Sequence, residues 1–341
     1  MKKSFASDNN AGIHPDILAA IIKANDYDYV SYGDDYHTQE AVSLFKEIFG
    51  DDTEVFFVLN GTGANATALK AMVQSFEAIV CPETAHIAVD ECGAVENLTG
   101  AKLIPVSTPE GKINIQQVQS FMHFVGDQHH SQPKVISISQ STEMGTLYSP
   151  DEIRNIADFA HENDMYLHMD GARIANACAA LNIGLRELTK DLGVDVLSFG
   201  STKNGMGFGE AVVFFNTKLA KYFPFIRKQS MQLLSKLRYI TCQYKAYFNN
   251  DLWLTNAQNA NRLANLLYEK LQDIPNLQTT RKSEVNAVFC ILPKEKIEHL
   301  QSKRFFYTWD DAIGEVRFMT SFNMNERDVL DFVEFLKAEL I

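Results

Sequence analysis

The chain has 341 residues, enough to bury a full core and to form two or three domains. Its 43 acidic residues outnumber 31 Lys and Arg residues, so the formal net charge of -12 argues against nucleic acid as a partner. We also expect no membrane partner and no export, because no apolar run reaches about 18 residues and none follows the N-terminal lysines. The five cysteines lack metal or redox spacing, so we expect reduced thiols and a cytoplasmic location.

Helical and strand-like segments alternate from the N-terminus, which predicts a layered α/β fold. After a polar arm, Pro15 opens a predicted helix, and residues 39–49 form a second one. Residues 54–59 form a continuous apolar strand, and the Gly-rich turn at 61–65 leads from this strand into a helix.

A capping box marks the next clear helix start. Ser149 is the predicted N-cap, Pro150 takes the first helical position and Glu152 takes the third. This helix leads into an apolar strand that ends at Asp170, and a second strand ends in the small turn before Lys203. Strand, helix and strand in succession predict a mainly parallel sheet covered on both faces.

The pattern changes after a strand at residues 210–215. Residues 225–272 are predicted as a long helical region that bridges two domains, followed by strands at 287–292 and 315–319. A last amphipathic helix begins after Asn325, its predicted N-cap. We therefore expect a large domain with the N-terminal arm over residues 1–245 and a small α+β domain over residues 246–341.

Two neighbouring strand ends carry the residues with the clearest chemistry. Ligands of open α/β sheets bind outside the carboxyl ends of parallel strands, so Asp170, Arg173 and Lys203 are expected to face one crevice. This set suits a pyridoxal phosphate enzyme, in which a lysine holds the aldehyde as a Schiff base and a carboxylate partners the ring nitrogen. Taken singly, each of these residues has an ordinary alternative: a solvated lysine, a loop carboxylate and an ion-paired arginine.

The turn at residues 61–65 offers backbone N–H groups and a helix N-terminus, which suit a phosphate group. The same turn fits a second interpretation. Gly61, Gly63 and Ala66 match the dinucleotide-binding fingerprint, and Glu83 follows at the spacing of a ribose-binding acid. A nicotinamide-dependent dehydrogenase is therefore the rival enzyme class, although it leaves the strand-end residues without a role.

Several motifs together resemble the low-specificity L-threonine aldolases of the β-eliminating lyase group. The specific pair is Asp-Gly-Ala-Arg at 170–173 and Thr-Lys-Asn-Gly at 202–205. Weaker markers are spread over most of the chain: Ser7-Asp8, Tyr32-Gly33-Asp34-Asp35, Gly61-Thr62, Ala85-His86-Ile87, the run from Lys228 to Arg238, and Arg317.

The resemblance implies a pyridoxal phosphate-dependent transferase-like fold (fold type I) and a role for each matching residue. Lys203 would hold the cofactor, Asp170 would contact its ring nitrogen, and His86 would stack on its ring. Gly61 and Thr62 would bind its phosphate, and Arg173 would also contact the cofactor. Ser7, Arg173 and Arg317 would bind the substrate carboxylate. It also implies a homo-oligomer, a dimer at minimum and a tetramer by expectation. In this assembly Tyr32, as a substrate-binding residue, and a cation from residues 227–228 would reach the active site of a neighbouring subunit.

The implied reaction cleaves L-threonine, L-allo-threonine or a related β-hydroxy-α-amino acid to glycine and an aldehyde. Another reaction of the same cofactor, β-elimination, racemisation or transamination, is the alternative. The base for the hydroxyl proton stays open between His86, Glu143 and a water molecule, because Glu143 stands where many relatives carry a histidine. The histidines at 123, 129 and 130 are expected at the surface, and no metal is expected.

Overall fold

A seven-stranded sheet organises the larger part of the structure, a computed structural model that describes residues 3–275 and 277–340. Its strands, in chain order, are β1 (Glu54–Val58), β2 (Glu77–Pro82), β3 (Lys102–Val106), β4 (Gln132–Ser139), β5 (Tyr166–Gly171), β6 (Val196–Phe199) and β7 (Glu210–Phe214). The spatial order is β1-β7-β6-β5-β4-β2-β3, and β7 alone in this sheet runs antiparallel to its neighbours. The carboxyl ends of the other six strands therefore lie on one edge, and the predicted mainly parallel sheet is confirmed.

The helices cover both faces of this sheet and extend into the C-terminal part. They are α1 (Pro15–Lys23), α2 (Tyr36–Phe49), α3 (Gly61–Met72), α4 (His86–Val89), α5 (Ala94–Thr99), α6 (Ile115–Gln119), α7 (Pro150–Glu162), α8 (Ile174–Leu181), α9 (Phe223–Gln229), α10 (Arg238–Phe248), α11 (Leu252–Leu271), α12 (Lys294–Lys303) and α13 (Glu326–Leu340). Alternate residues of β4 supply two cores, since Ile136 belongs to the same hydrophobic cluster as Phe45 of α2 and Val135 to the same cluster as Leu69 of α3.

Capping side chains explain where several helices begin. Ser149 and Glu152 form the predicted capping box of α7, and Asn325 accepts a hydrogen bond from the Asp328 amide at the start of α13. Helix α2 begins three residues before its predicted start, because Asp35 Oδ1 accepts from the Thr38 amide at 3.0 Å.

The predicted helical region at residues 225–272 is divided into three separate helices, α9, α10 and α11. Met231, Asn250 and Asp251 have φ angles of 61°, 51° and 53°, and this left-handed conformation ends a right-handed helix.

A second, antiparallel sheet forms the C-terminal part, with strand order β10-β11-β9-β8. Its strands are β8 (Gln278–Thr279), β9 (Ala287–Ile291), β10 (Tyr307–Asp310) and β11 (Glu315–Met319). The N-terminal arm reaches this part: Phe5 stacks on Phe332 with ring centroids 4.1 Å apart, and its carbonyl accepts from the Met319 amide at 2.8 Å. The domain boundary between residues 245 and 246 stays a prediction. Across the described ranges, no helix is both long and apolar enough to cross a bilayer.

Candidate active site

A cavity of about 420 Å³ opens at the edge where the parallel strands end. The turns after β1, β2, β4, β5 and β6 all contribute to it, as expected for an open α/β sheet. Residues predicted from sequence that line it are Gly61, Thr62, His86, Glu143, Asp170, Arg173 and Lys203. All six residues predicted to bind the cofactor therefore line one cavity.

The turns after β5 and β6 are held in direct contact. A Cβ atom on Gly200 would lie 2.4 Å from Ala172 Cα, so only glycine allows this approach. The approach places Lys203, in the 3₁₀ turn Thr202–Asn204, beside the Asp170 turn. Burial, and then the charge of Arg173, lower the pKa of Lys203. Both effects favour the neutral amine, which is the nucleophilic form.

Asp170 is buried and oriented by two donors. Its Oδ1 accepts from the Ala172 amide and its Oδ2 from Asn65 Nδ2, both at 2.8 Å. Two hydrogen bonds to a carboxylate fix its direction. Asp170 can therefore present its carboxyl group to the cavity in a fixed orientation.

His86 is tied to Asp170 through Asn65 and Glu91. The Asn65 amide also donates to Glu91 Oε1 at 2.8 Å, and this oxygen lies 2.8 Å from His86 Nδ1. The hydrogen bond with Glu91 is the main reason that the pKa of His86 is raised, and the Asp170 charge adds to it. The sequence reasoning missed Asn65 and Glu91. A carboxylate five residues after His86 was the available signal.

Glu143 lines the cavity next to His86. Its Oε1 accepts from the His86 amide at 3.0 Å and from Ser139 Oγ at 2.7 Å, while Oε2 is buried without a partner in the described structure. Burial, and also the nearby Asp170 charge, raise the pKa of Glu143. Both effects favour the neutral carboxyl, which is a poor base.

Arg173 is held by an aspartate that the sequence reasoning did not assign to it. Its Nε and Nη2 donate to Asp8 at 2.7 and 2.9 Å, and Asn286 Nδ2 donates to Asp8 at 3.0 Å. A small adjoining cleft shares Glu143 and Arg173 with the cavity and contains Arg317. Burial, and then the Arg173 charge, lower the pKa of Arg317 to about 10. An anion between the two guanidinium groups would relieve this repulsion.

The N-terminus of α3 faces the cavity with its first two residues, Gly61 and Thr62. Asn60 Oδ1 accepts a hydrogen bond from the Gly63 amide at 2.7 Å. The first amides of a helix have no acceptor within the helix itself. A Cβ atom on Gly61 would meet no atom within 4 Å. Gly63 has no such space, because its Cβ would lie 2.2 Å from Gln232 Oε1. The open end of α3 is suited to a phosphate group.

Two residues that the resemblance implies lie away from the cavity lining. Ser7 Oγ accepts from the Asn9 amide at 3.2 Å, and Asn9 rather than Ser7 lines the cavity. Tyr32 is 47% exposed, with Lys228 Nζ 4.5 Å from its ring centroid. Arg227 points inward instead and donates to the Phe57 carbonyl at 3.1 Å. Their predicted roles stay predictions.

The structure argues against the nicotinamide-dependent dehydrogenase, because the predicted ribose-binding acid lies outside the cavity. Glu83 accepts from Ser107 Oγ at 2.7 Å and does not line the cavity. The fingerprint glycines are instead accounted for by the turn into α3 and by contact with Gln232.

We expect that Asp8→Asn destabilises the protein. Burial alone would raise the pKa of Asp8, but the charge and hydrogen bonds of Arg173 outweigh it and lower the pKa to about 2, from an ordinary 3.8. The pair's stabilisation is therefore present above about pH 4 and lost as the pH falls through about 2. At pH 7 the free energy of unfolding should fall by about 3 kcal/mol in urea titrations, since Arg173 is left buried and unpaired.

Glu326→Gln is the matched control for this prediction, because it breaks an exposed ion pair with Arg262. Such pairs are worth about 0–1 kcal/mol. Equal losses in the two variants would contradict the prediction, as would a loss in Asp8→Asn that persists unchanged at pH 2.

A partly buried lysine, a fixed carboxylate and an open helix N-terminus around one cavity fit pyridoxal phosphate, and the fold is fold type I of the enzymes that use it. The Beta-eliminating lyase family model matches residues 4–294. The chain therefore belongs to the β-eliminating lyase family, whose enzymes depend on pyridoxal phosphate.

Relatives match nearly the whole chain. A low specificity L-threonine aldolase from Pseudomonas aeruginosa is 43% identical over 325 residues, covering 94% of this chain and 93% of the relative. One from a Pseudomonas species is 41% identical over 338 residues, covering 98% and 97%. A threonine aldolase structure from Leishmania major has a TM-score of 0.92 at 30% identity and covers 99% of each chain. An alanine-glyoxylate aminotransferase from Nostoc, at 14% identity and a TM-score of 0.72, shows the fold alone.

Proposed function

We propose that this protein is a pyridoxal phosphate-dependent aldolase. It cleaves L-threonine, L-allo-threonine or a related β-hydroxy-α-amino acid to glycine and an aldehyde. The observation that carries the proposal is the shared cavity of Lys203, Asp170 and His86, in a chain 41% and 43% identical to L-threonine aldolases over nearly its full length.

Four groups would hold the cofactor. Lys203 would bind it covalently, Asp170 would pair with its ring nitrogen, His86 would lie against its ring, and the Gly61–Thr62 turn would take its phosphate. When bound, the cofactor withdraws electrons from the substrate's α-carbon. The negative charge of Asp170 supports this withdrawal by keeping the ring nitrogen protonated.

The substrate carboxylate would be oriented by the two arginines at the adjoining cleft. Arg317 Nε is buried without a partner in the described structure, and Arg173 uses only part of its guanidinium on Asp8. Ser7 is proposed as a third contact, since it lies next to Asp8 in the arm. A carboxylate held here would have its position fixed while the Cα–Cβ bond breaks.

His86 is our proposed acceptor of the hydroxyl proton. Its side chain is 37% exposed, it lines the cavity, and its Nδ1 is engaged with Glu91, which leaves Nε2 for the substrate. Glu143 is less suited, because its environment favours the neutral carboxyl, which is a poor base.

Glu91→Gln should change the pH dependence of the reaction. kcat/KM rises with pH as His86 loses its proton. Because Glu91 is the main group that raises the pKa of His86, its removal should shift this acid limb to lower pH in initial-rate measurements. Glu162→Gln, an exposed glutamate on α7, is the control and should leave the limb in place. An acid limb unchanged by Glu91→Gln would contradict the role of His86.

Glu143→Gln should change kcat/KM by no more than about three-fold. Glutamine copies the neutral carboxyl, and its oxygen can still accept from the His86 amide and Ser139 Oγ. Loss of a general base would instead cost about 10²-fold or more. A loss of that size, measured with the same substrate, would transfer the proton-accepting role to Glu143.

A panel of amino acids assayed for aldehyde release tests the aldolase proposal. Acetaldehyde and glycine should form in equal amounts from threonine or allo-threonine. If every β-hydroxy amino acid yields no aldehyde while another amino acid is consumed, then β-elimination, racemisation or transamination replaces aldol cleavage.

We further propose a homo-oligomer, a dimer at minimum and a tetramer by expectation, with Tyr32 and Lys228 serving a neighbouring cavity. Their mutual contact and their absence from the cavity of their own chain support this arrangement. Sedimentation tests the assembly. A cytoplasmic location is also proposed, supported by five cysteines that are all free thiols.

A further inference from the structure

Three buried polar side chains form a chain across the central strands of the sheet. Ser137 Oγ on β4 lies 2.9 Å from His168 Nδ1 on β5, and His168 Nε2 lies 3.0 Å from Ser198 Oγ on β6. His168 is fully buried, and both serines are at least 95% buried. Ser198 lines the cavity, and its Cα pairs with that of Asp170 in the β5–β6 register.

His168 is neutral in this position. Burial lowers its pKa to about 4, despite the nearby Asp170 charge. A neutral imidazole has one N–H donor and one acceptor nitrogen. With a serine at each nitrogen, one serine must donate to His168 and the other must accept from it. The chain therefore has a direction.

The buried end decides that direction. Among the described residues, His168 Nδ1 is the sole side-chain partner found for Ser137 Oγ. If Ser137 accepted a hydrogen bond from Nδ1, its own hydrogen would be left buried without an acceptor, which is costly. If Ser137 donates to Nδ1, His168 carries its proton on Nε2 and donates to Ser198 Oγ. The Ser198 hydroxyl hydrogen is then left for the cavity.

We propose that His168 is a positioning residue that makes Ser198 a hydrogen-bond donor to an anionic oxygen of the ligand bound in this cavity. Among the described residues, His168 Nε2 is the sole hydrogen-bond partner found for Ser198 Oγ, so the acceptor for the Ser198 hydroxyl belongs to the ligand. The ligand part of the proposal rests on the proposed cofactor. The position of the proton on His168 does not.

The first test locates that proton in the purified protein labelled with ¹⁵N-histidine. The chain has nine histidines, and His168→Gln assigns the signal by its loss. Between about pH 6 and 9, where unperturbed histidines titrate or are neutral, His168 should stay neutral with its proton on Nε2. A proton on Nδ1, or a charged His168 in this range, overturns the proposal whatever the enzyme's substrate is.

The second test measures the affinity of the protein for pyridoxal phosphate by absorbance titration. Ser198→Ala removes the donor and should weaken binding about ten-fold, the usual scale of one hydrogen bond. His168→Leu should give a similar loss. His168→Gln places an amide N–H near the Nε2 position and should restore affinity to within about three-fold of the wild type.

A double variant separates positioning from general damage to the fold. Ser198→Ala combined with His168→Leu should lose no more affinity than Ser198→Ala alone, because the histidine acts through the serine. Additive losses overturn the proposal. If His168→Leu does not fold, the triple change Ser137→Ala, His168→Leu and Ser198→Ala removes every member of the buried chain and takes its place in this comparison. Absence of aldolase activity with His168 protonated on Nε2 would overturn the proposed function alone.

Discussion

Lys203→Ala should abolish both the covalent attachment of pyridoxal phosphate and catalysis. Lys203 is a lysine that lines the cavity, and its environment lowers its pKa toward the reactive neutral amine. Alanine supplies no nucleophile, so the visible absorbance of the lysine-bound cofactor should be lost. Loss of a nucleophile that acts together with its neighbours should lower kcat by at least about 10⁴-fold. Absorbance spectra and initial rates with threonine measure the two effects.

Lys102→Ala is the control for general effects of losing a lysine. Lys102 is exposed on the edge strand β3, away from the cavity, and its loss should leave spectrum and rate unchanged. A Lys203→Ala protein that keeps the lysine-bound absorbance and full activity would disprove the assignment. Added primary amines should restore part of the activity, because they can replace the missing amine in the open cavity.

Asp170→Asn should lower kcat by about 10³-fold, the upper range for loss of one electrostatic contact in a dry site. The variant keeps the size of the side chain but removes its charge. The substitution also replaces one carboxylate oxygen of Asp170 by an amide NH₂ group. That group would face a hydrogen-bond donor, either Asn65 Nδ2 or the Ala172 amide. Weaker retention of pyridoxal phosphate, measured by dialysis and absorbance, should accompany the lower rate.

Asp195→Asn is a closely matched control, because Asp195 is as buried as Asp170 and precedes β6 at the opposite end of the sheet. It accepts from the Leu167 amide and from Asn216 Nδ2, both at 2.9 Å. Its substitution should lower thermal stability and leave kcat largely unchanged. Equal losses of kcat in the two variants would mean that Asp170 acts through the fold rather than through its charge.

Local signals predicted much of the fold. The capping box at Ser149 and Glu152 predicted the start of α7, because a cap depends on residues three positions apart. Apolar strands ending in polar turns predicted that Asp170 and Lys203 meet, because parallel strands bring their carboxyl ends to one edge. The break of residues 225–272 was not predicted, because Met231, Asn250 and Asp251 take left-handed conformations that their side chains do not require.

The sequence by itself determined the chemistry available to this protein: a lysine and a carboxylate at neighbouring strand ends, a glycine turn before α3, and the motifs that resemble the threonine aldolases. Only the tertiary structure decided which other side chains form hydrogen bonds and ion pairs with these residues. Asp8 pairs with Arg173 across 165 positions, and Asn65 joins Asp170 to Glu91. Such partners are chosen by where separate elements pack, and hydrogen bonds and ion pairs act over a few ångströms, so distance along the chain does not reveal them.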